Sequence, residues 1–323
     1  MLSVARNGLL SIMTWNTYIG AELTPLLRAT PKQVPKIVTN ILCQFLDTDL
    51  SKRATAIARQ IILKEPDIIG LQEAALWELI SSYSQRVVYD LLHILLCELK
   101  YRGFLYRVVA QNKNFDTALP SSLWNLIRFT DRDVILVRET SEVKVIRKVE
   151  ANFKTNWRVR IAGQPFTILR GWSAIDASVQ GCRFRMVNTH LDSHSPEVQI
   201  AQANELLSGP AETKIPLIFT GDFNSNANGS GTPTYRNLIA AGFEDTWIAI
   251  NKGNGFTCCQ DANLLNAESR LNERIDLILF KNKKNWTAVE AEVVGEAQRD
   301  RIKTRLWPSD HAGVYAKLEL RNC

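Results

Sequence analysis

Six short polar motifs interrupt apolar stretches of this 323-residue chain, and they hold the residues best suited to chemistry. They are Asn16, Gln72-Glu73, Asn188-Thr189-His190, Gly221-Asp222-Phe223-Asn224, Asp276 and Ser309-Asp310-His311. Carboxylate and amide oxygens are hard donors, which suit Mg2+ or Mn2+ together with waters and a substrate phosphate. Glu73, Asp310 and Asn16 supply one such set. A cation of that kind offsets phosphate charge and steadies a leaving oxygen. Asp222 and Asn224 suit the orientation and deprotonation of an attacking water. Asp276 can hold His311 in one tautomer, so that the ring binds or protonates a phosphate oxygen. His190 and Asn188 can donate to non-bridging oxygens as charge builds on them. Arg170, at another strand end, suits phosphate contact. Taken singly, each motif also fits a turn or a cap, since Gly-Asp and Asp-x-Asn are common turn sequences. Their joint placement, each at the end of a strand-like run, points to a site.

The runs that must carry these residues alternate with amphipathic stretches to the C-terminus. Residues 11–16 (SIMTWN) read as a strand ending at Asn16, and 67–72 (DIIGLQ) as one ending at Gln72-Glu73. Between them Ser51 is the expected N-cap of a helix over 52–64. Residues 83–99 fit a second helix, with Val87, Leu91, Ile94, Leu95 and Leu99 on one face. Strands are expected at 134–138, 143–149, 166–170, 173–179 and 184–189, with a tight hairpin at Gln180-Gly181. A helix over 196–207 precedes a short strand at 217–220, and Pro233 opens another helix. Strands resume at 275–280, 289–294 and 313–320. No linker or low-complexity tract divides the chain, so one domain of two packed sheets with helices outside is the simplest reading.

Composition sets loose bounds. Hydrophobic residues make up 46% and charged residues 22%, which is ordinary for a globular chain with a sizeable core. A net charge of +6 favours an anionic partner only mildly. The six cysteines form no CxxC pair, which argues against a zinc ribbon or thioredoxin-type site. Adjacent Cys258 and Cys259 rarely reach disulfide geometry, so buried free thiols are expected. The N-terminal residues lack the long apolar core of a secretory signal, and no run approaches the ~20 apolar residues that span a bilayer. Compartment stays open: a cytoplasmic location is slightly favoured, and a processed secreted form is the alternative.

The motifs resemble those of the endonuclease/exonuclease/phosphatase superfamily. The matching pieces are Thr14-Trp15-Asn16, Leu71-Gln72-Glu73, Asn188-Thr189-His190-Leu191, Gly221-Asp222-Phe223-Asn224, Arg274-Ile275-Asp276-Leu277-Ile278-Leu279 and Ser309-Asp310-His311. The resemblance implies a DNase I-like fold, a four-layer α/β sandwich of two mixed β-sheets flanked by helices. It also implies Glu73 as the main metal ligand and an Asp276–His311 pair facing Asp222. The expected activity is hydrolysis of a phosphodiester by water attack, with a phospholipid headgroup or a nucleic acid as substrate and no obligate protein partner. A nuclease is the alternative within enzymes, alongside a metal-dependent monoesterase. A catalytically inactive binding module is the alternative outside them. Where AP endonucleases carry an acidic ligand two residues after the first Asn, this chain has Tyr18, which speaks against abasic-site cleavage. The Trp-Cys-Asp-Arg signature of inositol 5-phosphatases is replaced by Asn272-Glu273-Arg274-Ile275-Asp276. Neutral sphingomyelinases look nearer at Thr257-Cys258-Cys259 and Asn188-Thr189-His190-Leu191.

Three further features bear on substrate, because one fold serves many. Residues 20–50 form an insertion dense in apolar residues, either a helix packed on the sheet edge or a greasy lid near the metal site. Residues 154–160 (KTNWRVR) place Trp157 among cations, which suits base stacking or a solvated hairpin. Trp307, three residues before Asp310, can wall a pocket or fill the core.

Overall fold

The structure, a computed structural model, describes residues 8–81, 85–123, 126–251, 253–281 and 286–320. Strands and helices are numbered in chain order. One mixed sheet runs β15 (Trp286–Val294), β16 (Gly313–Leu320), β1 (Gly8–Asn16), β2 (Ile68–Gln72), β6 (Leu126–Arg138), β3 (Leu76–Ile80), β4 (Arg86–Asp90), with β5 (Tyr106–Leu119) also paired to β6. The second runs β13 (Phe243–Asp245), β14 (Asp276–Lys281), β12 (Leu217–Asp222), β11 (Cys182–His190), β10 (Gly171–Val179), β7 (Lys144–Asn152). A separate hairpin joins β8 (Trp157–Ile161) to β9 (Gln164–Ile168). Helices α1 (Val34–Asp47), α2 (Leu50–Lys64) and α3 (Leu91–Tyr101) cover the first sheet, while α4 (Pro196–Leu207) and α5 (Thr234–Ala240) cover the second. The short α6 (Thr246–Ile250) lies against β14 and β15. This is the expected four-layer α/β sandwich.

Strand periodicity explains how the layers divide the residues. On β1, Leu10 and Ile12 belong to the apolar layer between the sheets, while Met13 and Trp15 face the helices. Ile68 on β2, Ile135 and Val137 on β6, Phe184 and Met186 on β11, Ile218 on β12 and Ile278 on β14 join that central layer. Their same-face neighbours further along are polar. Asn16, Gln72, Asp133, Asp131, Asn188, His190, Thr220, Asp222 and Asp276 all keep the parity of the central layer and are all buried. The space between the sheets is therefore apolar at one end and polar at the other, and the polar end is where the motifs converge.

Several local expectations change. Residues 83–99 do not form one helix. The part from Arg86 to Asp90 pairs with β3 as β4, and α3 begins at Leu91. Asp90 caps α3, its carboxylate accepting the His93 amide at 3.2 Å, and β-branched Val87-Val88 suits the extended state. Tyr83 and Ser84 lie outside the described residues. The N-cap of α2 is Asp49 rather than Ser51, accepting from the Lys52 amide at 3.2 Å. Strand β6 starts eight residues before the expected 134, extending the sheet through Asp131 and Asp133. The Gln180-Gly181 hairpin forms as expected, with Val179 opposite Cys182 and both turn residues at positive φ. Cys258 and Cys259 are paired with each other rather than free. Cys43 and Cys97 are free thiols, and they are exposed rather than buried. Cys323 lies outside the described residues.

Candidate active site

Three donors surround one carboxylate oxygen. Asp222 Oδ2 lies 3.1 Å from Asn16 Nδ2, 3.5 Å from His190 Nε2 and 3.8 Å from His311 Nε2. Backbone pairing sets this convergence: β11 and β12 run parallel with His190 beside Asp222, and β14 runs antiparallel with Asp276 beside Asp222. A side chain at Gly221, whose φ is +147°, would put Cβ 2.0 Å from the Thr189 carbonyl oxygen, so only glycine permits this approach. The other oxygen of Asp222 accepts the Asn224 amide at 2.9 Å, and Asn224 itself sits at φ 48° with its Nδ2 donating to the Leu191 carbonyl at 2.9 Å. Asn224 thus orients Asp222 through its backbone.

The two histidines are pushed in opposite directions. His311 Nδ1 is 2.8 Å from Asp276 Oδ2. Burial would pull its pKa down, but Asp276, Asp310 and the Asp276 hydrogen bond outweigh burial and push it well above the usual value. The acidic partners thus favour the charged form of His311, whose Nε2 faces Asp222. His190 is driven the other way, by burial and then by the Arg170 and His311 charges. Arg170 Nη1 lies 3.1 Å from His190 Nδ1. A guanidinium can only donate, so Nδ1 accepts and the ring proton resides on Nε2, aimed at Asp222. Thr257 Oγ1 accepts the Asp276 amide at 3.2 Å, and the Thr257 carbonyl accepts the Ala312 amide at 2.8 Å. That segment ties the Asp276 and His311 strands together.

Glu73 and Asp310, both half-buried, form the acidic side. Glu73 sits at φ 56°, a costly conformation for a residue with a side chain, and its Oε2 accepts the Ile19 amide at 2.9 Å. Burial, then Asp310 and Asp131, push its carboxyl up to about 7. Burial raises Asp310 too, and burial followed by the Asp276 charge lifts Asp222 to about 6. Ser309 Oγ donates to the Asn16 carbonyl at 2.7 Å, which anchors the Asp310 turn to the end of β1. Carboxylates crowded until they resist ionisation are what a divalent cation relieves, and Glu73, Asp310 and the Asn16 amide oxygen offer hard donors. That amide oxygen already accepts the Tyr18 N–H at 3.1 Å, leaving one lone pair. Asp222, Asp276 and His311 also bring ligand atoms within 4.8 Å of one another. His311 Nδ1 is already bonded to Asp276 Oδ2, so this second group reads as a hydrogen-bonded triad.

Two expected phosphate contacts sit elsewhere. Asn188 is wholly buried, with Nδ2 donating to the Leu71 and Val134 carbonyls at 3.1 and 3.3 Å. Its Oδ1 accepts from Gln72 Nε2 at 2.7 Å and Thr220 Oγ1 at 3.2 Å. Every bonding position is used between the sheets, so Asn188 forms the floor beneath the site. Arg170 stands behind His190, with Nη1 also 3.0 Å from Asp131 Oδ2. Trp307 is buried, its indole N–H donating to the Asn266 carbonyl at 2.9 Å, and it fills the core rather than walling the site. Tyr18 turns inward, with its hydroxyl on the Ala262 carbonyl at 2.8 Å.

Three residues were missed. Asp131 and Asp133 on β6 are both buried, and Asn114 Nδ2 reaches Asp133 Oδ2 at 2.7 Å. Burial raises both carboxyls, Asp133 well above the usual range. Two acids at alternate positions ahead of an apolar strand were the available signal. Arg53 on α2 is fully buried and donates to the carbonyls of Thr48 and Thr17 at 2.9 Å and of Tyr18 and Pro308 at 3.2 Å. It holds the loop after Asn16 against the one before Asp310.

The family model described as "Endonuclease/Exonuclease/phosphatase family" matches residues 13–311. The chain belongs to that family. Its members are hydrolases of phosphate esters and generally depend on a divalent metal. Among solved structures, an endonuclease/exonuclease/phosphatase family protein from Bacteroides thetaiotaomicron is similar with a TM-score of 0.61, at 16% identity over 98% of this chain and 96% of that one. D. rerio TDP2 complexed with single-strand DNA product is similar at 0.59, with 18% identity over 96% of this chain and 99% of that one. A mannosyl-6-phosphatase from Bacteroides thetaiotaomicron is similar at 0.57, with 16% identity over 97% of this chain and 100% of that one. Identities this low carry the fold alone. No protein of curated function matches the sequence. Among the described residues no helix is long and apolar enough to cross a membrane.

Proposed function

We propose that this family member hydrolyses a phosphodiester, with Mg2+ or Mn2+ held by Glu73, Asp310 and the Asn16 oxygen. The observation that carries the reading is the single Asp222 oxygen ringed by Asn16, His190 and His311. Asp222, with its carboxyl lifted to about 6, is an ionised base at neutral pH, and strong enough to accept a proton from water. Water attacks phosphorus, its proton passes to Asp222, and the bond to one ester oxygen breaks with that oxygen keeping the electron pair. The departing oxygen is reprotonated from solvent, leaving a phosphomonoester and an alcohol. His311 and His190 each present an Nε2–H, one cationic and one neutral, and Asn16 presents an amide N–H. These donors suit the non-bridging oxygens on which charge builds. Asp276 keeps His311 charged and aimed, and Arg170 fixes the His190 tautomer. When bound, the metal supplies charge neutralisation at the phosphate and the leaving oxygen.

The test is Mg2+-dependent turnover of bis-p-nitrophenyl phosphate, sphingomyelin micelles, single- and double-stranded DNA and an inositol phosphate, each against Glu73→Gln. Turnover that disappears in the variant supports the reading. Release of phosphate from the monoester with every diester untouched would replace it with a phosphatase, and silence of the folded protein across the panel would overturn it.

A further inference from the structure

The insertion after β1 does not bury all of its apolar surface. Val34, Val38, Ile41, Leu42 and Phe45 of α1 pack into the core. Leu23, which precedes the 3-10 turn Thr24–Arg28, and Leu27 within that turn stay partly exposed. They border a cavity of about 220 Å³ whose remaining wall includes Phe115 from β5, Phe129 from β6 and Trp157 from the β8–β9 hairpin. Trp157 is held in place by stacking on His194, with centroids 4.3 Å apart and rings within 11° of parallel. The lining is mostly aliphatic and aromatic. Its charged members are Glu73, Asp131 and Arg170, so the cavity adjoins the acidic side of the site. Two of these carry buried atoms without a partner, Asp131 Oδ1 and Arg170 Nε.

We propose that this cavity seats an alkyl or acyl chain attached to the phosphate being cleaved, which makes the substrate an amphiphilic phosphoester. The inference rests on the hydrolase reading and specifies its substrate. Most of the wall is aliphatic or aromatic, so filling the cavity with methylenes is favourable. A nucleobase fits less well, because most of the wall its edge donors and acceptors would face is Leu, Phe and Ile. Trp157, the side chain best placed to stack a base, is already stacked on His194. Continuity with Glu73 and Arg170 fixes the orientation: the polar head lies at the site, the chain beneath the insertion.

The experiment is a binding series of butyl, hexyl and octyl phosphate below their micellar concentrations. It is read by calorimetry and by the fluorescence of the wall residues Trp77 and Trp157. Each buried methylene is expected to tighten binding roughly 4-fold, the equivalent of about 0.8 kcal/mol, until the cavity is full. Leu27→Asp places a charge on the wall at a partly exposed position and should flatten the series, and Leu23→Asp should do the same if that variant folds poorly. A flat series in the wild type would overturn the proposal. So would a slope that survives in a folded variant, or adenosine monophosphate binding as tightly as octyl phosphate. Turnover of bis-p-nitrophenyl phosphate by the same preparations reports separately on the hydrolase reading. Turnover with a flat series sinks the cavity alone, and a steep series without turnover on any diester sinks the hydrolysis alone.

Discussion

Replacing Glu73 by Gln should make the metal-free protein more stable at neutral pH while removing its metal response. Burial, Asp310 and Asp131 raise this carboxyl from 4.5 to about 7. A carboxyl whose folded pKa is raised holds its proton in the folded state after the unfolded chain has released it. Stability therefore falls as pH rises from the unfolded value through about 7, and the raised Glu73 carboxyl, together with the neighbouring charges that raise it, costs on the order of 3 kcal/mol by about pH 7.5. Raised carboxyls at Asp131, Asp133 and Asp310 act in the same direction. Gln carries no charge to desolvate, and its side-chain oxygen can still accept the Ile19 amide that Glu73 accepts at 2.9 Å.

Urea unfolding in EDTA should thus show the variant ahead by up to about 3 kcal/mol at about pH 7.5, and the two proteins within about 1 kcal/mol at about pH 5. Saturating Mg2+ should stabilise the wild type by mass action and leave the variant nearly unmoved. A variant less stable than the wild type at about pH 7.5 in EDTA would refute the electrostatic reasoning. Equal stabilisation of both proteins by Mg2+ would refute the ligand assignment.

Other outcomes are expected from the same geometry. Asp222→Asn and His311→Ala should each lower kcat on the order of 10²-fold or more, and a loss of only a few-fold would remove that residue from the proton chemistry. Activity should decline as pH drops through about 6, because a protonated Asp222 cannot take the proton of water; a flat profile between about pH 5 and 8 would contradict the base assignment. Arg53→Met should cost on the order of 3–5 kcal/mol in chemical unfolding, since it strips donors from four buried carbonyls. Asn188→Ala should lower stability by roughly 2–4 kcal/mol yet leave kcat of the folded protein within a few-fold, as befits a floor residue; a selective loss of kcat would return it to phosphate binding.

Four of the site residues found in the sequence share one property. Asn16, His190, Asp222 and Asp276 lie on strands whose same face is apolar further along, at Ile12, Met186, Ile218 and Ile278, so a period of two puts a polar type where a central-layer residue belongs. The mismatch is local and needs no partner to be noticed. Asp131 and Asp133 obey the same rule, but the apolar run that marks their strand in the sequence starts only at Val134. An Asp-Arg-Asp run looks like a turn until β6 is seen to pair with β3 over Leu126–Thr130 and with β2 over Val134–Val137. The stretch from Arg86 to Asp90 failed for a related reason: its apolar spacing fits a helix, and only the long-range partner β3 makes it a strand. Arg53 and Asn188 failed differently. Both were present as letters, but what they satisfy is backbone. Arg53 serves carbonyls 36 and 255 residues away, and Asn188 serves one 117 residues away. Side-chain chemistry can be read from residue type, whereas a buried carbonyl in need of a donor exists only once the fold has created it. The residues that position this site are therefore harder to find than those proposed to act in it, and a substitution scan guided by motif alone would overlook them.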